Sequence, residues 1–296
     1  MGAKPFLKWA GGKGQLIASI WETFPMDFKK RKDVVYIEPF VGSGAVLFWL
    51  LENYPNIKHA VINDINRDLI TAYRVIKESP KLLIDYLKEL QNEYLSKGKE
   101  EDQKYFFLEK RKIFNERKQG NLTNTGLLIF LNKTCYNGLY RVNSRNKFNV
   151  PFGRYKNPKI CDPETILKDN SLLQKVIILN VDFEETLKYA DKNSFFYFDP
   201  PYKPISRTSS FNSYASFTFN DSEQERLARF CRKLDQENFQ WILSNSDLKN
   251  TEKENQYFER LYNGFNIKRV RAKRFINSNS SKRGEIFELL ITNYKE

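Results

Sequence analysis

Histidine is nearly absent from this 296-residue chain: His59 is the only one. A single imidazole excludes multi-histidine metal centres and disfavours a Ser-His-Asp triad, and His59 reads as the edge of the strand Ala60-Val61-Ile62. Cysteine is scarce as well. Cys135, Cys161 and Cys231 are far apart and odd in number, so they form neither a zinc spacing nor a disulfide framework and read as reduced thiols. No apolar run approaches the ~20 residues of a membrane span. The start, Met1 to Phe6, lacks an apolar signal core, and Phe6 does not suit a myristoylation signal, which predicts a cytoplasmic chain. Acidic residues are in deficit, 36 against 49 basic ones, and the +13 surplus favours a polyanionic partner. There is no internal repeat and no low-complexity tract.

With 41% apolar and 29% charged residues the chain is globular. From the start to about Arg67, Val34-Val35-Tyr36-Ile37 is a short strand, Gly42-Ser43-Gly44 a turn, Ala45 to Leu51 a helix and His59 to Asn63 a second strand. That is the opening of a doubly wound α/β fold. From Asp68 to Lys159 the character changes. The stretch up to Thr134 is helical by pattern, with Leu127 to Leu131 as a buried helix, and Arg141 to Val150 reads as a hairpin turning near Arg145-Asn146. This segment, 68–159, is expected to be an inserted module. The remainder, 160–296, returns to strand–helix alternation. Val176 to Leu179, Phe195 to Phe198 and Trp241 to Leu243 are strands, and Asp221 to Leu234 is a helix capped by Asn220 or Asp221. Ile267 to Arg274 and Ile286 to Thr292 read as an antiparallel addition.

Glu38-Pro39-Phe40-Val41-Gly42-Ser43-Gly44 lies between the first strand and its helix, where glycines permit close approach of a ligand. Asp64 ends the second strand, placed to bind ribose hydroxyls. Pro39-Phe40 stands where a dinucleotide fold needs its first glycine, and the third glycine is missing. A pyrophosphate has a poor cradle, so a nucleoside without phosphates fits better. S-adenosylmethionine is one, and its sulfonium suits a pocket lined by Glu38, Asp64 and Asp199. A second glycine turn, Gly11-Gly12-Lys13, follows Trp9, and Lys13 can pair with the methionine carboxylate.

Asp199-Pro200-Pro201-Tyr202 follows the apolar run Phe195 to Phe198, at the end of a strand where open α/β sheets bind ligands. The carboxylate of Asp199 and the carbonyl of Pro200 can accept the two N–H groups of an exocyclic amine, while Tyr202 offers a stacking face. Pro200 and Pro201 make the turn stiff. The stretch from Lys203 to Asn220 is polar, carries four aromatic rings and reads as a lid. Lys29 to Lys32 and Lys268 to Arg274 are basic clusters; the second alternates as a strand does, with Ser278 to Arg283 beyond it, and is expected to face phosphates. Arg141 and Arg145, on the hairpin, are suited to gripping guanine through two bonds. Tyr136 and Asn137 can fill the gap beside an extruded base.

In these stretches the chain closely resembles the DNA adenine-N6 methyltransferases of the Dam and DpnM type. The likeness is carried by Phe6 to Lys13, Glu38 to Gly44, Asn63 to Asn66, Asn137 to Arg141, Phe148 to Tyr155, Asp199 to Tyr202 and Ser244-Asn245, in that order along nearly the whole chain. It implies an S-adenosylmethionine-dependent fold, a doubly wound mixed sheet, with an inserted DNA-recognition domain. It implies that Trp9, Lys13, Asp64 and Asp199 touch the cofactor, that Asp182 and Phe183 flank its adenine, and that Asp199 to Tyr202 hold a flipped adenine. Lys8, Tyr136, Asn137, Leu139, Arg141 and Pro151 match residues that approach the bases of GATC. S-adenosylhomocysteine is then the product, double-stranded DNA the partner, and the cytoplasm and nucleoid of a bacterium the setting. A restriction endonuclease is a functional counterpart if the enzyme serves a restriction-modification system. No metal is called for. A cytosine-N4 methyltransferase shares the pocket and the amine chemistry and stays open, as does a DNA-binding relative without catalysis.

Overall fold

The protein is described here from a computed structural model covering residues 3–9, 13–202, 219–250, 252–273 and 285–295. Gly11, Gly12, most of the expected lid (203–218) and Ser278 to Arg283 lie outside the described residues.

Seven described strands form one mixed sheet. They are β1 (Val34–Glu38), β2 (Ile57–Asn63), β3 (Val176–Leu179), β4 (Ser194–Phe198), β5 (Gln240–Ser246), β6 (Asn266–Lys273) and β7 (Glu285–Thr292), in the spatial order β3-β2-β1-β4-β5-β7-β6. The first five run parallel, whereas β7 is antiparallel to both β5 and β6. The expected antiparallel addition is therefore present, with β7 slotted between β5 and the edge strand β6.

Every residue of β1 and of β4 is buried. Parallel strands with both faces covered need apolar side chains on both faces, hence continuous runs such as Val34-Val35-Tyr36-Ile37 and Phe195 to Phe198. Tyr36, Phe195 and Tyr197 enter one apolar cluster; Val35, Ile37, Phe196 and Phe198 enter the other.

The helices are α1 (Ile17–Glu22), α2 (Ala45–Asn53), α3 (Arg67–Glu78), α4 (Pro80–Ser96), α5 (Glu100–Glu116), α6 (Asn121–Thr134), α7 (Pro163–Leu173), α8 (Asp221–Gln236) and α9 (Tyr257–Leu261). Asn66 caps α3 through the Leu69 N–H at 3.1 Å, and Asn220 caps α8 through the Glu223 N–H at 3.1 Å. Each side chain satisfies a donor that the helix start leaves open. In α6, Leu127 to Leu131 are buried, as the pattern predicts. One apolar cluster runs from the sheet through Tyr73 of α3 to Phe130 of α6 and on to Phe148.

The expected hairpin is present, with its turn over Ser144, Arg145 and Asn146. A single bridge joins Val142 to Phe148, and Asn143 closes the turn, its side-chain oxygen accepting from the N–H groups of Arg145 and Lys147 at 3.0 Å. Asn146 takes a left-handed φ of 54°. Main-chain bonds from the Asn143 N–H to the Lys147 carbonyl at 2.9 Å and from the Asn149 N–H to the Arg141 carbonyl at 3.1 Å join the two arms, and the Asn143 side chain braces the turn.

Candidate active site

Glu38 ends β1 and Asp199 follows β4. These strands are neighbours at the point where the chain reverses its progress across the sheet. Loops leaving them in opposite directions open a crevice there.

On one side of the crevice stand acidic groups and the glycine turn. Glu38 is only 2% exposed and accepts the Tyr36 hydroxyl at 2.9 Å. Burial pushes its carboxyl well above the usual range, and the nearby charges of Asp199 and Asp64 push the same way. Burial also raises Asp64 to about 6, against the pull of two N–H donors, Asn66 at 2.8 Å and Gly42 at 3.1 Å. Gly44 has φ +74°, and a Cβ there would stand 2.5 Å from the Tyr73 hydroxyl oxygen, so no other residue fits this bend without displacing the ring. The charges of Asp199 and Asp64 raise the cost of ionising Glu38, and a cationic ligand relieves it. The donor set thus suits a sulfonium nucleoside.

Buried Asn63 ties the loops of this side together. Its amide donates to the carbonyls of Pro39 and Val181 at 3.1 Å, and its oxygen accepts the Val181 N–H at 2.9 Å. That brings Phe40 to Phe183, ring centroids 5.3 Å apart. Asp182 caps the short 3-10 turn Phe183–Tyr189 and pairs with Arg226 at 2.5 Å, while the Arg226 guanidinium lies 4.3 Å over the Phe183 ring.

On the other side stands Asp199, its side chain 21% exposed. Ser244 of β5 donates to its Oδ1 at 3.2 Å, and Lys13 Nζ lies 2.6 Å from the same oxygen. Burial raises the Asp199 carboxyl, with Lys13 pulling the other way. Lys13 is also hydrogen-bonded to the Tyr202 hydroxyl and stands 4.3 Å over the Tyr202 ring. Tyr202 in turn donates to Glu288 of β7 at 2.5 Å. The Pro201 carbonyl accepts from Gln224 of α8 at 3.2 Å, so Asp199 to Tyr202 are held from α8, β5 and β7 together.

Lys13, expected to be able to pair with a methionine carboxylate, has its ammonium against Asp199. Within the basic stretch of β6, expected to face phosphates, Arg269 pairs with Asp247 at 2.7 Å and with Glu259, which cancels its charge locally.

The residues expected to read bases cluster around the turn after α6. Trp9 stacks on Tyr140 at 4.9 Å, and the Tyr140 hydroxyl donates to Asp68 at 2.8 Å. Tyr136 and Asn137 are exposed, the latter with φ 56°, and the Tyr136 N–H donates to the carbonyl of exposed Pro151 at 2.8 Å. Gly138 brings this turn against Lys8: a Cβ on it would lie 2.5 Å from the Lys8 side chain. Lys8, Trp9, Asn137 and Leu139 share the wall of a cavity of about 480 Å³. Arg141 turns its Nε to the Asn149 side chain at 2.8 Å and one terminal nitrogen to the Asn149 carbonyl at 3.3 Å. Exposed Arg145 sits in the hairpin turn.

The D12 class N6 adenine-specific DNA methyltransferase family matches residues 9–276. The chain belongs to that family. It is 50% identical to the Type II methyltransferase M.MjaIII of Methanocaldococcus jannaschii, over 99% of this chain and the full length of that protein. It is 38% identical to the Type II methyltransferase M1.LlaDCHI of Lactococcus lactis subsp. cremoris, over 98% of this chain and 95% of that one. It is 33% identical to a DNA adenine methylase of Haemophilus influenzae, over 97% and 92%. The protein is an enzyme, an adenine-specific DNA methyltransferase, and the cytosine-N4 and inactive readings are set aside. No helix among the described residues of this methyltransferase is long and apolar enough to cross a membrane.

Three residues of the site escaped the reading of the methyltransferase's sequence: Gln224, Glu288 and Asn132. A carboxylate within the apolar strand Ile286-Phe287-Glu288-Leu289-Leu290 is the signal that marks Glu288. Gln224 and Asn132 carry no such mark, since a lone amide on a helix is usually a surface residue.

Proposed function

We propose that the methyl donor is S-adenosylmethionine and that the acceptor is the N6 amine of an adenine extruded from duplex DNA, within GATC. One observation carries the reading: Asp199 stands at the reversal point of the sheet, beside the acidic crevice of Glu38 and Asp64. In this reading Glu38, Pro39, Phe40, Gly42, Gly44, Asp64, Asp182 and Phe183 form the cofactor side with Trp9 and Lys13. The donor supplies an electrophilic methyl group. The rest is work for the chain's own residues.

An adenine amine is a poor nucleophile because its lone pair is delocalised into the ring. It is also buried in the helix, so the base has to leave the stack. Asp199 accepts one N–H and the Pro200 carbonyl the other, which localises the lone pair and aims it. Tyr202 stacks on the base, and Pro200 and Pro201 keep the turn stiff. Asp199 is too weak a base to deprotonate a neutral aromatic amine. The proton leaves after methylation, to Asp199 or to water, when the nitrogen is cationic and strongly acidic. Fixed orientation of amine and acceptors supplies much of the rate.

We further propose that 68–159 is the DNA-reading module and that Lys8, Tyr136, Asn137, Leu139, Arg141, Arg145 and Pro151 face the bases. The +13 charge supports binding to a polyanion. Two of the relatives named above are Type II methyltransferases, which supports service beside a restriction endonuclease. Labelled S-adenosylmethionine incubated with duplex DNA, followed by nucleoside analysis and mapping of modified positions, tests the reading. N6-methyladenine confined to GATC is expected; methylated adenine spread over other sequences would remove the specificity, and lack of label the donor.

A further inference from the structure

We propose that Glu288 is a positioning residue that gives the Lys13 ammonium a second resting place, so that Asp199 is freed for the target amine. The inference rests on the reading of Asp199 as the amine's acceptor.

The geometry is asymmetric. Lys13, 3% exposed, lies 2.6 Å from Asp199 Oδ1 and 3.7 Å from Glu288 Oε2, between two carboxylates of unequal distance. Tyr202 joins the two positions, since its hydroxyl accepts from Lys13 and donates to that same Oε2 of Glu288 at 2.5 Å. Glu288 is held rigidly: its backbone lies between Ser246 of β5 and Val270 of β6, and its side chain is 13% exposed.

A cation on Asp199 hinders the reaction in two ways. Lys13 and Ser244 already occupy Oδ1, so the acceptor offers less to an incoming N–H. The ammonium would also stand beside a nitrogen that becomes positive on methylation, and like charges so placed repel strongly in a buried site. Closing the gap to Glu288 to hydrogen-bond length needs a shift of only about 1 Å. Lys13 then stays paired, Tyr202 stays bonded, and the charge of Asp199 and the lone pairs that Lys13 held are open to the target amine. No proton changes hands in this shift.

The test compares Glu288→Gln with the unchanged enzyme in single-turnover methylation of duplex DNA. The substitution should slow the methylation step at least 10-fold while cofactor affinity and base extrusion, read by the fluorescence of a 2-aminopurine at the target position, stay within about twofold. Glu288→Asp, which keeps the charge, should restore part of the loss, and it carries the same comparison if the Gln variant folds poorly. Full single-turnover rate in Glu288→Gln would overturn the proposal. So would a parallel loss of cofactor binding and extrusion, because that marks a purely structural role. Failure of the unchanged enzyme to methylate adenine would instead remove the reading of Asp199 beneath it.

Discussion

Asn132 holds Lys8 by both polar groups of its main chain: its side-chain oxygen accepts the Lys8 N–H at 2.9 Å, and its amide donates to the Lys8 carbonyl at 2.9 Å. The same amide donates to the Gly138 carbonyl at 2.8 Å. One buried side chain at the end of α6 therefore fixes the segment around Lys8 and the turn that bears Tyr136 and Asn137.

Asn132→Ala should break both attachments and leave backbone groups without partners, at ~1–3 kcal/mol per buried group. Chemical denaturation should show the loss. The preference for the recognition sequence over other DNA should narrow by more than non-specific affinity falls. Unaltered selectivity in the variant would separate this clamp from DNA reading.

Asp199→Ala should lower kcat by at least ~10²-fold, within the range of positioned polar catalytic groups. Fold and DNA affinity should survive, as circular dichroism and a gel-shift titration would show. Near-normal turnover would take Asp199 out of the reaction.

Arg141→Ala should relax sequence choice, since a two-bonded grip on guanine discriminates by ~1–3 kcal/mol. The grip has to use N–H groups other than the Nε bonded to Asn149. Binding to unrelated DNA should change little, and competition assays on substituted sites measure the difference. Equal weakening on all sequences would make Arg141 a phosphate contact.

Asp169 of α7 is fully buried, and neither carboxylate oxygen has a hydrogen-bond partner among the described residues. Burial pushes its carboxyl up to about 8, helped by the charge of Asp162 and opposed by Lys4. A raised pKa means that the folded protein keeps the proton after the unfolded chain has lost it. Stability therefore falls as pH rises from about 4 to about 8 and levels off above that. Asp169→Asn abolishes this slope, so the variant should gain at least ~1 kcal/mol over the parent at pH 8 and much less at pH 5. Paired denaturation curves at the two pH values check it; an equal gain at both would assign the effect to packing.

Much of the fold is legible in the chain because buried strands must be apolar on both faces. Phe195 to Phe198 and Val34 to Ile37 announce themselves that way, and the cap at Asn220 follows from local donors. The hairpin from Arg141 to Val150 is legible in its alternation, whereas the side-chain bonds that Asn143 and Asn115 add to its backbone are not. The basic run of β6 is legible only in part. Charge along a strand is visible in sequence, whereas the acids Asp247 and Glu259 that meet Arg269 come from other elements.

By itself the sequence determined the element order, the acidic and glycine-bearing loops, and Asp199-Pro200-Pro201-Tyr202 at a strand's end, because these depend on local periodicity and on residues adjacent in the chain. Tertiary structure alone decided that Lys13 meets Asp199 and Glu288, 186 and 275 positions away in the numbering, and that Asn132 joins Lys8 to Gly138. Slotting β7 between β5 and β6 is what sets Glu288 behind Tyr202, and no local pattern encodes which strand becomes whose neighbour.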